Sequence, residues 1–271
     1  MTASGRRRKG RIAEAFARAR REGRPALIPY LTAGDPDLAV SRALVPALQG
    51  GGADIVEIGV PFSDPVADGS INQRSAERAL RNGVNLGAVL ALAGDLRGDG
   101  APPLVLFTYF NPVHRMGLEA FGREVERMGL DGVLVTDLPP EEAGDLREIL
   151  ERRGTDLISL VSPTTSRDRL ERLCAEARGF LYFISRTGVT GPREDLPESL
   201  GDQVRAARAI CDLPIAVGFG ISQPDQVRAA ASYADGVVVG SALVRLIEEA
   251  RGAPDLTARV EAFCRTLLGR S

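Results

Sequence analysis

The chain has 271 residues, 44% of them hydrophobic, and its 34 Lys and Arg nearly balance its 36 Asp and Glu. That is apolar material for a sizeable core, while the balanced charge argues against a nucleic-acid or anionic-membrane binder. No apolar run nears the roughly 18 residues of a membrane span and no charged-then-apolar leader opens the chain, so a cytoplasmic protein is expected.

Taken in chain order, Arg6-Arg7-Arg8-Lys9 reads as part of a solvated flexible tail over residues 1–10. Arg11–Arg21 has helical period and precedes the first strand, where it is placed to plug one end of a barrel. Strands are expected at Ala26–Thr32, Ile55–Gly59, Leu104–Tyr109, Gly132–Thr136, Asp156–Val161, Phe180–Ile184, Pro214–Gly218 and Gly236–Val239. Most are short apolar runs without polar alternation, the mark of parallel strands covered on both faces. Helical period fills the intervals, as at Leu38–Leu48, Leu118–Met128, Ala143–Arg152, Arg167–Ala177 and Gln203–Ile210. Eight strand–helix repeats predict an α/β fold, a single (β/α)8 TIM barrel over residues 1–271 with an extra N-terminal helix. The connection after the second strand, Asp64 to Arg97, is about twice the usual length and is expected to carry function.

Chemistry should gather at the C-terminal ends of the strands. Glu57 lies inside the apolar run Ile55-Val56-Glu57-Ile58-Gly59, where a charge is costly unless it is paired or working. It is either a buried, satisfied Glu or an acid/base with a raised pKa, and its place near a strand end favours the second. Asp68 follows in a Gly- and Pro-punctuated loop, where an Asp is most often a turn or cap residue. Asp64, before Pro65, fits that plain role better. Small-residue runs follow the last three strands: Thr187-Gly188-Val189-Thr190-Gly191, Gly218-Phe219-Gly220-Ile221-Ser222 and Val239-Gly240-Ser241-Ala242. They let backbone N–H groups close on an anion, and Gly240-Ser241 would open a helix with its positive end towards it. A phosphorylated ligand is the expectation. Tyr30, Phe107, Tyr109 and Tyr182 fall on strands, either as core or as walls for a flat apolar ligand. Asp137 is a polar anchor for that ligand or a turn residue before Pro139-Pro140. Cys174, Cys211 and Cys264 are scattered and read as buried free thiols. His114 stands alone, and no metal site is expected.

Several of these runs resemble the α subunit of tryptophan synthase. They are Leu27-Ile28-Pro29-Tyr30-Leu31-Thr32-Ala33-Gly34-Asp35-Pro36, the stretch from Glu57 to Gly69, Thr108-Tyr109-Phe110-Asn111-Pro112-Val113 and Thr136-Asp137-Leu138-Pro139. Ser185-Arg186-Thr187-Gly188-Val189-Thr190-Gly191, Gly218-Phe219-Gly220-Ile221-Ser222 and Ala234-Asp235-Gly236-Val237-Val238-Val239-Gly240-Ser241 extend the likeness over nearly the whole chain. The resemblance implies a lyase of tryptophan biosynthesis that cleaves indole-3-glycerol phosphate to indole and glyceraldehyde 3-phosphate. It implies Glu57 and Asp68 as catalytic carboxylates, with Tyr182 assisting. Tyr30, Phe107 and Tyr109 would wall the indole, and Gly191, Gly220, Gly240 and Ser241 would hold the phosphate. Thr190 would belong to a closing loop that meets Asp68. It further implies no cofactor in this chain, and a β subunit carrying pyridoxal phosphate in an αββα complex. A lyase acting alone and a weakly catalytic regulatory subunit are the alternatives. In one place the chain departs from the family: Asp68-Gly69 is followed by Ser70-Ile71-Asn72-Gln73 where the family has Pro-x-Ile-Gln. Asn72 thus puts an amide where an aliphatic side chain faces the ligand.

Overall fold

The computed structural model describes residues 10–162, 164–184, 198–218 and 220–270. Every strand pairing among them is parallel. The strands are β1 (Ala26–Thr32), β2 (Val56–Gly59), β3 (Leu104–Thr108), β4 (Gly132–Val135), β5 (Asp156–Leu157), β6 (Ser159–Val161), β7 (Leu181–Ile184), β8 (Ile215–Gly218) and β9 (Gly236–Val239). Their order, β5-β4-β3-β2-β1-β9-β8-β7-β6, runs around a barrel. β5 pairs only with β4 and β6 only with β7, and Ile158 between them still donates its N–H to Val133 O at 2.8 Å. These two segments are one barrel strand broken at Ile158, so the expected strand Asp156–Val161 is present and the eightfold ring closes through it.

The helices are α1 (Arg11–Arg21), α2 (Leu38–Gly50), α3 (Ser70–Arg81), α4 (Leu86–Gly98), α5 (Phe110–Met116), α6 (Leu118–Met128), α7 (Gly144–Arg152), α8 (Arg167–Glu176), α9 (Glu198–Arg208), α10 (Pro224–Ala231), α11 (Ser241–Glu249) and α12 (Leu256–Leu267). Two expectations change. The stretch from Asp64 to Arg97 is not a long loop, because most of it is α3 and α4. Asn85 ends the intervening turn by accepting from Ala88 N, and Leu86, Val89, Leu90 and Ala93 then repeat at helical spacing on a buried face. Helix α9 also starts five residues before Gln203. Cys211 and Cys264 are buried as expected, while Cys174 is half-buried.

Burial divides the core into two shells. Leu27, Leu31, Val56, Ile58, Leu104, Leu106, Val133, Val217, Val237 and Val239 point outward from the strands into the helical layer. The alternate positions point inward, where Ile28, Ile55, Val105, Leu134, Ile158, Phe180, Ala216 and Val238 form a second cluster. Helix α1 closes the N-terminal mouth by adding Ile12, Ala15, Phe16 and Ala19 to that inner cluster, with the Phe16 and Phe180 rings 5.5 Å apart.

The N-terminal rim is tied by a repeated device. Asp54, Asp131 and Asp235 each lie within two residues of the start of a strand, and each carboxylate accepts from a backbone N–H at the start of the neighbouring strand. The donors are Leu27 N (2.9 Å), Leu104 N (3.0 Å) and Ile215 N (2.9 Å). Arginines of α1 neutralise all three: Arg18 reaches Asp54, Arg11 Asp131 and Arg20 Asp235, with Arg24 and Arg208 adding bonds to Asp54 and Asp235. The plug helix is therefore bolted by charge as well as by its apolar face.

Candidate active site

At the opposite, C-terminal end the inward positions turn polar and aromatic. One layer above Ile55 stands Glu57, whose ladder partners are Tyr30 on β1 and Val105 on β3. It is 1% exposed, and neither carboxylate oxygen has a hydrogen-bond partner among the described residues. Burial alone pushes its pKa up to about 8, so it is mainly protonated at neutral pH. The strand puts it there because residues alternate faces. With Ile55 inside the barrel, Glu57 must also be inside, and no arginine of the rim reaches this layer.

Asp68 comes from the turn between β2 and α3. Its Oδ2 accepts from the Tyr109 hydroxyl at 2.8 Å, and its Oδ1 from Asn72 Nδ2 at 3.5 Å. Tyr109 in turn accepts from Ala67 N at 3.2 Å and stacks on Phe62 at 5.0 Å, which fixes the turn over the barrel mouth. Gln73 holds the Asp68 carbonyl. Burial raises the Asp68 pKa, and the bonds from Tyr109 and Asn72 oppose that rise by favouring the anion. Tyr109 was expected only as an indole wall. Its bond to Asp68 could not be read from the sequence, because it depends on how the turn folds back.

Tyr30 is buried, bonds Thr32 Oγ1 at 3.3 Å, and meets Phe107 edge-on at 5.1 Å. With Ile71 of α3 and Val244 of α11 they form a small apolar cluster above the barrel core. The Tyr30 hydroxyl lies where a side chain at Gly59 would go, and the Tyr182 hydroxyl lies likewise over Gly218. Burial first, then the Glu57 carboxylate, hold the Tyr182 hydroxyl well above its ordinary value. It faces Glu57 without being bonded to it.

The side where the sequence leads one to expect a phosphate is built on α11. Gly240 precedes it, Ser241 is its buried first residue, and a Cβ at Gly240 would only come to 3.8 Å from Tyr30 Cβ, so the helix N-terminus is open towards the mouth. Gly220 has φ +66°, a left-handed backbone that glycine adopts without strain. Thr190, Gly191 and Phe219 lie outside the described residues. Asp137 is exposed, and its Oδ1 accepts from Phe110 N at 2.6 Å. That bond satisfies the first N–H of α5.

Helices α3 and α11 are joined by a charged lattice that the sequence reading did not contain. Buried Asp35 takes Arg78 through Nε and Nη2, both at 2.7 Å. Arg78 Nη1 reaches Glu248 at 2.7 Å, and Glu248 also takes Arg74. The arginines hold the Glu248 pKa down at about 2, Arg74 contributing most. The i, i+4 spacing of Arg74 and Arg78 was the available signal.

The model of the tryptophan synthase alpha chain family matches residues 16–269. The chain belongs to that family. It is 47% identical over 257 residues to the tryptophan synthase alpha chain of Geobacter sulfurreducens, covering 95% of this chain and 97% of that one. Against the Geobacillus kaustophilus alpha chain it is 52% identical over 226 residues, 83% and 84% of the two chains. Mycobacterium tuberculosis tryptophan synthase superposes with a TM-score of 0.88 at 38% identity, over 96% of this chain and 97% of that one. A mutant Pyrococcus furiosus tryptophan synthase alpha subunit gives 0.83 at 38% identity, over 91% and 98%. As a tryptophan synthase alpha chain family member this protein is a lyase of tryptophan biosynthesis acting in the α reaction. No described helix is long and apolar enough to cross a membrane.

Proposed function

We propose that Glu57 and Asp68 carry the retro-aldol cleavage of indole-3-glycerol phosphate to indole and glyceraldehyde 3-phosphate. The observation that carries this reading is a buried Glu57, neutral at pH 7 and without a bonding partner among the described residues, facing a mouth whose other carboxylate accepts from Tyr109 and Asn72. The phosphate is received at the N-terminus of α11 beside Ser241, with Gly220 and Gly191, and the ring lies among Tyr30, Phe107 and Tyr109. Protonated Glu57 donates to C3 of the indole, and the positive charge that develops at N1–H is met by Asp68. Glu57, now ionised, takes the proton of the hydroxyl on the side-chain carbon attached to C3. The bond from that carbon to C3 breaks, its electrons return to the ring, and an aldehyde leaves. The proton gained from the hydroxyl restores Glu57, so one carboxyl serves both steps. Tyr182, kept neutral beside Glu57, positions it.

The partner of this reading is a tryptophan synthase β subunit carrying pyridoxal phosphate, in the cytoplasm. The rim beside Asp68 supports it, since Val66, 79% exposed and next to Pro65, offers an apolar contact at the mouth through which indole would pass. The test is indole release by the purified chain with indole-3-glycerol phosphate, alone and with a β subunit. Indole and glyceraldehyde 3-phosphate in equal amounts, stimulated by β, are expected. No indole under either condition overturns the reading, and full activity without β removes the partner from it.

A further inference from the structure

The lyase reading needs a charged Asp68 at the barrel mouth, yet no arginine or lysine among the described residues bonds it. Asp54, Asp131 and Asp235 of the opposite rim each have an arginine instead. The groups that act on Asp68 are neutral. Tyr30 of β1, Tyr109 of β3 and Tyr182 of β7 are all held protonated beside it, and Glu57 of β2 is mainly protonated at neutral pH. Burial works against the anion, so its charge depends on uncharged donors.

Those donors come from two elements. Tyr109, at the end of the barrel wall, gives its hydroxyl to Oδ2 at 2.8 Å. The first turn of α3 reaches back with two consecutive amides. Asn72 Nδ2 meets Asp68 Oδ1 at 3.5 Å, and Gln73 Nε2 holds the Asp68 main-chain carbonyl at 2.9 Å. The donor end of Asn72 is committed to the carboxylate, because a reversed amide would set oxygen against oxygen. Its own oxygen makes no hydrogen bond among the described residues, so Asp68 is what fixes the amide. The two amides thus grip different parts of one residue, Gln73 its backbone and Asn72 its charge.

We propose that Asn72 is a positioning residue of the lyase site, which keeps the Asp68 carboxylate oriented and ionised, while Gln73 fixes only the place of the turn. The inference rests on the lyase reading above. With a donor from α3 on one oxygen and a donor from the wall on the other, the carboxylate cannot rotate without losing both. Each oxygen still keeps a lone pair for a ring N–H. An N–H given to an anion favours it over the neutral acid, so Asn72 lowers the pH at which Asp68 loses its charge.

The experiment follows the Asp68 carboxyl carbon by NMR against pH, assigned with Asp68→Asn, and measures the pH profile of kcat/KM for indole-3-glycerol phosphate. Asn72→Leu is expected to raise the Asp68 midpoint by about one pH unit, a tenfold loss of kcat/KM on the acid limb. Asn72→Asp has nearly the native shape but sets a second carboxylate beside the first. It should raise the upper midpoint of the pair by about two units. Gln73→Leu is expected to lower kcat and leave the midpoint and the acid limb in place. An unmoved midpoint in either Asn72 variant, or an equal shift in Gln73→Leu, overturns this inference alone. A native chain that cleaves no substrate overturns the lyase reading, while the NMR midpoints still decide whether Asn72 governs the charge of Asp68.

Discussion

Asp54 and Glu57 sit three residues apart at opposite ends of the same strand run, and each is 1% exposed. Asp54 accepts from Leu27 N, Arg18 and Arg24; Glu57 accepts from no donor among the described residues. The same sequence run therefore buries one carboxylate amid donors and the other as an acid. The first belongs to a rim where Asp131 and Asp235 repeat its bonding, and it secures the plug helix. The second is destabilising when ionised, and the barrel tolerates it because a proton removes the charge. The N-terminal end of the barrel is settled electrostatically, whereas the C-terminal end is left poised.

Exchanging the two carboxylates' chemistry is the sharpest way to break that contrast. Glu57→Gln is expected to lower kcat by about 10³-fold, since the amide can neither donate to C3 nor take the hydroxyl proton. The same variant should be the more stable protein in alkali. The fold raises the Glu57 pKa from 4.5 to about 8, so the penalty is absent below pH 4.5, grows through that window and is complete above it. Urea unfolding at pH 9 should show a gain of the order of 4 kcal/mol over the native chain, and none at pH 4. A loss of stability at pH 9 would mean that Glu57 is paired after all. Asp54→Ala, at the other end, should cost about 3–5 kcal/mol in urea unfolding by leaving Arg24 and Leu27 N without their acceptor. Its kcat per folded molecule should stay within about twofold of native, and a larger fall would join the two ends that the structure separates. The smallest effect is expected of Tyr109→Phe, about tenfold in kcat/KM. Its diagnostic is the pH profile, with an alkaline limb near pH 8 from Glu57 and an acid limb from Asp68. Losing the Tyr109 bond raises the Asp68 pKa further, so the acid limb should move to higher pH while the alkaline limb stays.

The strands were legible because each is a short apolar run, and β1 and β9 begin and end where the run does. The residues from Asp64 to Arg97 were harder, because length alone signalled function while the capping by Asn85 and the Leu86–Ala93 spacing carried the structure. Glu57 was visible as a charge in an apolar strand. Asp68 was not, since a loop Asp is ordinarily a cap, and only the family likeness raised it from cap to catalytic candidate. Tyr109 as the partner of Asp68, the Asp–Arg bolts of the rim and the Asp35–Arg78–Glu248 lattice depend on pairings between distant segments, which no local pattern records. Asn72 stood out as a departure from the family pattern, but its bond to Asp68 needed coordinates.

That lattice has a consequence for size selection. Arg78 and Arg74 clamp α3, which follows directly on Asp68, to α11, whose N-terminus would receive the phosphate. The two recognition points are thereby held like the jaws of a fixed-gauge caliper. A ligand with one carbon more or less between its ring and its phosphate can touch either jaw but cannot span both. Chain length would then be read by the scaffold itself, before any catalytic proton moves.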